Sequence, residues 1–135
     1  MSWKIVPPIL LGIVVVGAIL WGKWAFEERA PDPLHTIFLA QIEYSREHPE
    51  EGFASSFEDL NPLIDSVLAS GAKSGYEFIL WTGAPDSHGR VTRFFVVARP
   101  KKYHEGARSL FIDESGVERF TTENRSAMVT DPPVH

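Results

Sequence analysis

Two stretches decide the fold class: Tyr76-Glu77-Phe78-Ile79-Leu80-Trp81 and, after a turn-rich connection from Gly83 to Gly89, Arg93-Phe94-Phe95-Val96-Val97-Ala98. In the first, apolar and other residues alternate, the signature of a strand with one face toward a core. The second is almost continuously apolar, which predicts a strand buried on both faces and so central in its sheet. Two shorter runs follow, Ser109-Leu110-Phe111-Ile112 and Val117-Glu118-Arg119-Phe120. Asp113-Glu114-Ser115-Gly116 between them has the length and chemistry of a hairpin turn. Four antiparallel strands in a meander are the expected sheet.

Upstream, the period changes from two to that of a helix. Leu34, Ile37, Phe38 and Ile42 form one apolar stripe, with Asp32 placed as N-cap and Pro33 at the first helical position. A helix of about four turns is expected there, laid on one face of the sheet. Ser55-Ser56-Phe57-Glu58 has a capping-box pattern. Asn61-Pro62 reads as a second cap, with Leu63, Ile64, Val67 and Leu68 as a short apolar face and Gly71 as the left-handed terminator. Two short helical pieces should result. The polar tail from Thr121 to His135, with Pro132 and Pro133, is expected to be extended.

The N-terminus has another character. Between Lys4 and Lys23, Ile5 to Gly22 is uncharged and rich in Ile, Leu and Val. At helical rise such a run spans roughly 27 Å, close to the hydrocarbon thickness of a bilayer. Trp3 at one end and Trp21 and Trp24 at the other are positioned as interfacial anchors. Gly12 and Gly17 offer flat spots where another helix could approach. Trp-Gly-Lys-Trp-Ala-Phe-Glu-Glu after the run gives no good signal-peptidase site. The expectation is a single transmembrane anchor in residues 1–30 and an α+β soluble domain in 31–135, with the lipid bilayer as a partner. Lys4 and the chain amine on one flank nearly balance Lys23 and Arg29 on the other, so charge alone does not orient it.

Composition excludes several functions. The net charge of −5 speaks against nucleic-acid binding by phosphate neutralisation, and the absence of cysteine removes disulfides, thiolate metal sites and cysteine nucleophiles. His35, His48, His88, His104 and His135 are scattered without ligand spacing. Asp113 to Gly116 has too few ligands for a calcium loop. Gly71-Ala-Lys-Ser-Gly75 lacks the phosphate-loop spacing and follows a helix where a strand is needed. No catalytic, metal or cofactor site is expected, and no cofactor. The candidate partner contacts are Trp81, if exposed on the sheet, and the basic pair Lys101 and Lys102 beside Arg99.

One resemblance is specific. Gln41-x-x-Tyr44, Glu51-Gly52-Phe53-Ala54, Leu63 to Gly71 and Lys73-Ser74-Gly75-Tyr76-x-Phe78 stand in an order that resembles the globular domain of type IV pilin-like proteins of the acidobacterial kind. Ala98-x-Pro100, Gly106-x-Arg108-Ser109-x-Phe111, Asp113-x-Ser115-Gly116-Val117-x-Arg119-Phe120 and Pro132-Pro133 continue it. The resemblance covers roughly residues 34 to 135. It implies a helix packed on a four-stranded antiparallel sheet, outside the cytoplasmic membrane of a single-pass inner-membrane protein. The sequence departs from pilins at its start: Met1-Ser2-Trp3-Lys4 leads straight into Ile5-Val6-Pro7-Pro8 without a processing site, and no acid precedes Glu27. Pro31 and Pro33 also break the long helix that filaments use. The functional expectation is therefore a non-enzymatic accessory subunit of a larger membrane complex, respiratory or photosynthetic, with a minor pilin or pseudopilin as the alternative.

Overall fold

The first described element is a helix whose start is written in its side chains. The computed structural model describes residues 32–134. Asp32 is extended, and its Oδ1 accepts the Leu34 N–H at 3.0 Å, capping helix α1, Pro33–Glu47. Leu34 and Ile37 are fully buried, and Phe38 packs half-buried beside them. Burial of an aliphatic side chain of this size stabilises by about 1.5–3 kcal/mol, so these two anchor the helix more firmly than its cap does. Leu39, off the stripe, is exposed.

Two single-turn helices follow, α2 at Phe57–Leu60 and α3 at Ser66–Ala69. Ser56 caps α2 by accepting the Asp59 N–H at 3.1 Å. The cap of α3 is Asp65, not the Asn61-Pro62 pair that the sequence suggested. Asp65 Oδ1 accepts the Leu68 N–H at 2.7 Å, whereas Asn61 is the extended residue that ends α2. The expected apolar face narrows accordingly: Ile64 and Leu68 are buried, but Leu63 and Val67 are exposed. Gly71 ends the segment with φ +90° and donates to the Leu68 carbonyl at 2.9 Å.

The fold class is α+β, and the sheet has five antiparallel strands rather than four. They are β1 Ala72–Lys73, β2 Tyr76–Thr82, β3 Phe94–Pro100, β4 Ser109–Asp113 and β5 Arg119–Thr121, in that spatial order. The extra strand arises because Ser74 and Gly75 both take positive φ (57° and 83°), the two-residue hairpin geometry that folds Ala72-Lys73 back onto Tyr76-Glu77. The nearly continuous apolar run is β3, at the centre as expected. Phe78, Phe94, Val96, Ala98 and Ile112 meet α1, α2 and α3 in one core. Among the described residues no helix is long and apolar enough to cross a membrane. The expected anchor, with Trp3, Gly12, Gly17, Trp21 and Trp24, lies outside them.

Two contacts fasten the α1 end of the core. Gln41 is fully buried and pairs with the main chain of Ala54, donating from Nε2 to the carbonyl at 2.8 Å and accepting the N–H on Oε1 at 2.7 Å. Gly52 lies against Val91, where the Val91 N–H donates to the Glu51 carbonyl and the Phe53 N–H to the Val91 carbonyl, both at 2.9 Å.

The tail departs most from expectation. It folds back across the sheet instead of extending. Ala127 is buried with Val97 and Phe111, and the chain end pairs beside β5, with Phe120 N–H donating to the Pro132 carbonyl at 3.1 Å and Val134 N–H to the Glu118 carbonyl at 2.8 Å. Polar composition concealed a single apolar triplet, Ala127-Met128-Val129, of which Ala127 is buried against the sheet.

Candidate functional site

Strand alternation divides the sheet into two unlike faces. Phe78, Phe94, Val96 and Ile112 point toward α1 and are buried. The residues between them form the opposite, outer face: Ile79 and Trp81 on β2, Phe95 and Val97 on β3, Phe111 on β4. Register sets them side by side, Trp81 opposite Phe95 and Ile79 opposite Val97, which in turn is opposite Phe111. Their rings make a ladder. Trp81 and Phe95 stand 6.2 Å apart at 23°, and Phe95 and Phe111 stand 5.5 Å apart at 24°. Offset stacking of this kind fixes the rings as well as burying area.

The tail covers only half of this ladder. Phe111 is 6% exposed and lies under Ala127, whereas Trp81 is 55% and Ile79 47% exposed at the other end. Between them runs a groove of about 1060 Å³, walled by Ile79, Trp81, Phe95 and Phe111 on one side and by Met128 and Val129 on the other. Met128 and Val129 are themselves about half exposed. A charged pair also lines it: Arg93 Nε lies 3.9 Å from Glu114 Oε2, and Glu114 Oε1 accepts the Phe94 N–H at 3.0 Å.

An ion pair within the tail sets its shape, while hydrogen bonds to residues 118–120 and the burial of Ala127 attach it to the sheet. Arg125 donates both terminal nitrogens to Asp131, at 2.9 and 2.8 Å, and Asp131 Oδ2 also accepts the Met128 N–H at 2.8 Å. Arg119 donates to the Asp131 carbonyl at 2.9 Å. These hydrogen bonds, Arg125 first and the Met128 amide second, lower the Asp131 carboxyl to about 2. At the other side of the sheet, Glu118 is pushed up to about 8, chiefly by burial and then by its hydrogen bond and charge contact with Asp32, the cap of α1.

The three soluble-domain candidates are not brought together. Trp81 belongs to the groove. Lys101 and Lys102 are exposed beyond the far end of β3, where the Lys101 N–H donates to the Gly75 carbonyl at 2.8 Å. Four residues of extended chain separate Lys101 from Val97, the last β3 residue that lines the groove, a distance of roughly 13 Å. Met128 and Val129 were missed by sequence reading because they sit in a polar tail, and the flanking Arg125 and Asp131 were the available signal. Among the described residues no group of three potential ligands could hold a metal ion. Physically the site offers an apolar, aromatic surface with a small charged rim.

Comparison with protein-family models, with curated proteins and with solved structures returned no match for this chain.

Proposed function

We propose that this chain is a non-enzymatic accessory subunit of a larger membrane protein complex, respiratory or photosynthetic. Residues 1–30 tether it to the inner membrane, and its extracytoplasmic domain, of pilin-like type, rests on the complex through the outer sheet face. The observation that carries this reading is the half-covered aromatic ladder. Trp81, Ile79, Met128 and Val129 all stay about half exposed around one groove. Contiguous exposed apolar surface of this kind marks contact sites, and tryptophan is among the residues most enriched there.

Purification of the full-length chain from native membranes in mild detergent, followed by mass spectrometry, tests the reading. Stoichiometric integral-membrane partners are expected, and Trp81→Ala should reduce their yield. Recovery of the chain alone, with or without the substitution, would refute it. A second reading, a minor pilin or pseudopilin, is favoured by the long helix α1 laid on an antiparallel sheet. A mature N-terminus created by cleavage would select it over the first.

A further inference from the structure

One edge of the sheet is closed over part of its length and open over the rest. β1 pairs with Tyr76 and Glu77, and the Phe78 N–H donates to the Gly71 carbonyl at 2.8 Å. In an antiparallel ladder, alternate residues direct their main-chain groups to opposite sides. Phe78 therefore sets Leu80, Thr82 and Ala84 facing away from β3. Gly83 confirms the parity by donating inward to the Arg93 carbonyl at 2.9 Å. β1 pairs with β2 only at Tyr76 and Glu77, so among the described residues no strand faces the outward N–H and C=O groups of Leu80, Thr82 and Ala84. Natural sheets usually blunt such an edge with charge, proline or a bulge. Here Phe78-Ile-Leu-Trp-Thr-Gly-Ala-Pro85 carries no charge, and its single proline comes only at the end.

We infer that this edge pairs with the same edge of a second copy, antiparallel, about a twofold axis at Thr82. Steric closure selects the register. A pairing centred on Leu80 would drive Gly83 and Ala84 of the second copy into β1, which occupies the edge beside Tyr76 and Glu77. The next centre with the same hydrogen-bond parity is Thr82. It places Leu80 opposite Ala84 of the second copy, and Trp81 opposite its Gly83.

Side-chain shape selects a second copy over a foreign strand. Trp81 stands 55% exposed on the outer face beside the open edge. Gly83 lies on the same face, where an added Cβ would meet Arg93 Cβ at 3.4 Å, and it presents no side chain. In the Thr82 register each indole covers the other copy's glycine, and symmetry makes the contact twice. No charge faces another within the paired run from Leu80 to Ala84. Copies anchored in one bilayer would meet at the raised effective concentration that so short a ladder needs.

The chain has no cysteine, so one introduced thiol reports the contact without background. Thr82→Cys in the full-length protein, in native membranes, puts the two thiols on the axis. Cα atoms of a hydrogen-bonded antiparallel pair are about 5.5 Å apart, within disulfide reach. Under mild oxidation this variant should form a covalent dimer roughly tenfold faster than Glu105→Cys, which is remote from the edge. Adding Ala84→Pro removes one outward N–H that no bond within the protomer uses, and should return the rate to that of the control. A Thr82→Cys rate no higher than the Glu105→Cys rate, or one insensitive to Ala84→Pro, overturns the inference. So does a Thr82→Cys thiol shielded from maleimide without dimer formation, because a foreign strand then holds the edge. None of these outcomes depends on whether a host complex co-purifies, so this inference and the accessory-subunit reading fail separately.

Discussion

Gln41 and Ala54 exchange two hydrogen bonds in the interior: the Gln41 carboxamide donates to the Ala54 carbonyl at 2.8 Å and accepts its N–H at 2.7 Å. A side chain thus takes the place of a neighbouring strand for one residue of loop. Gln41 is 0% and Ala54 1% exposed, so no solvent could replace either bond. The pair ties the middle of α1 to the segment that leads into α2.

Gln41→Leu keeps the volume and leaves both Ala54 groups buried without partners. Each of the two orphaned groups costs about 1–3 kcal/mol, so a loss of roughly 2–6 kcal/mol in unfolding free energy is expected. Urea unfolding followed by circular dichroism measures it. A variant within about 0.5 kcal/mol of wild type, the range of an ordinary surface change, would show that the pair is dispensable.

Gly52→Ala should be among the most damaging small substitutions. Gly52 has φ +83°, and a Cβ built there overlaps the Val91 carbonyl oxygen. The main chain must shift, breaking the hydrogen bonds by which Val91 joins Glu51 and Phe53. With about 1 kcal/mol for the backbone conformation and as much again for each bond lost, the expected cost is about 3 kcal/mol, or a melting temperature lower by about 12–24 °C. Differential scanning calorimetry decides it, and an unchanged transition would mean that the loop tolerates the displacement.

The tail latch should be acid-labile. Asp131 titrates near 2 when folded, against an ordinary value of 3.8. A depressed carboxyl stabilises the fold above its unfolded value, and that contribution disappears as pH falls from 3.8 toward 2. Asp131→Asn removes the contribution at neutral pH, exposing Arg125 to trypsin and flattening the acid limb of the melting curve. Equal tryptic resistance in variant and wild type would argue that Ala127 and the hydrogen bonds to residues 118–120 hold the tail without the ion pair.

Glu118 has the opposite sign. Its carboxyl titrates near 8 when folded and at 4.5 ordinarily. The folded state therefore binds the proton more tightly, and stability rises as pH falls from 8 to 4.5. Glu118→Gln cannot ionise beside Asp32. Its melting temperature should exceed wild type at pH above about 8, with the advantage fading by about 4.5. A difference independent of pH would show that the substitution acts through packing, not through the proton.

Local chemistry wrote much of this molecule directly into its sequence. The Asp32 cap with Pro33, the stripe of Leu34 and Ile37, the apolar run of β3 and the turn at Asp113 to Gly116 are decided by neighbours a few residues apart, and the structure has all of them. Trp81 was a candidate contact from the enrichment of aromatics at interfaces, on condition of an exposure that the packed sheet supplies. The parts that sequence left open depend on distant partners. Gln41 is buried because Ala54, thirteen residues on, supplies the bonds that a polar side chain needs in the interior. The tail folds because Ala127 finds Val97 and Phe111, and because Arg125 meets Asp131. No local pattern announces a strand edge with nothing beside it. Only the packed sheet shows that, among the described residues, no strand faces the outward main-chain groups of Leu80, Thr82 and Ala84, because hydrogen-bond satisfaction belongs to the assembled structure and not to any one segment.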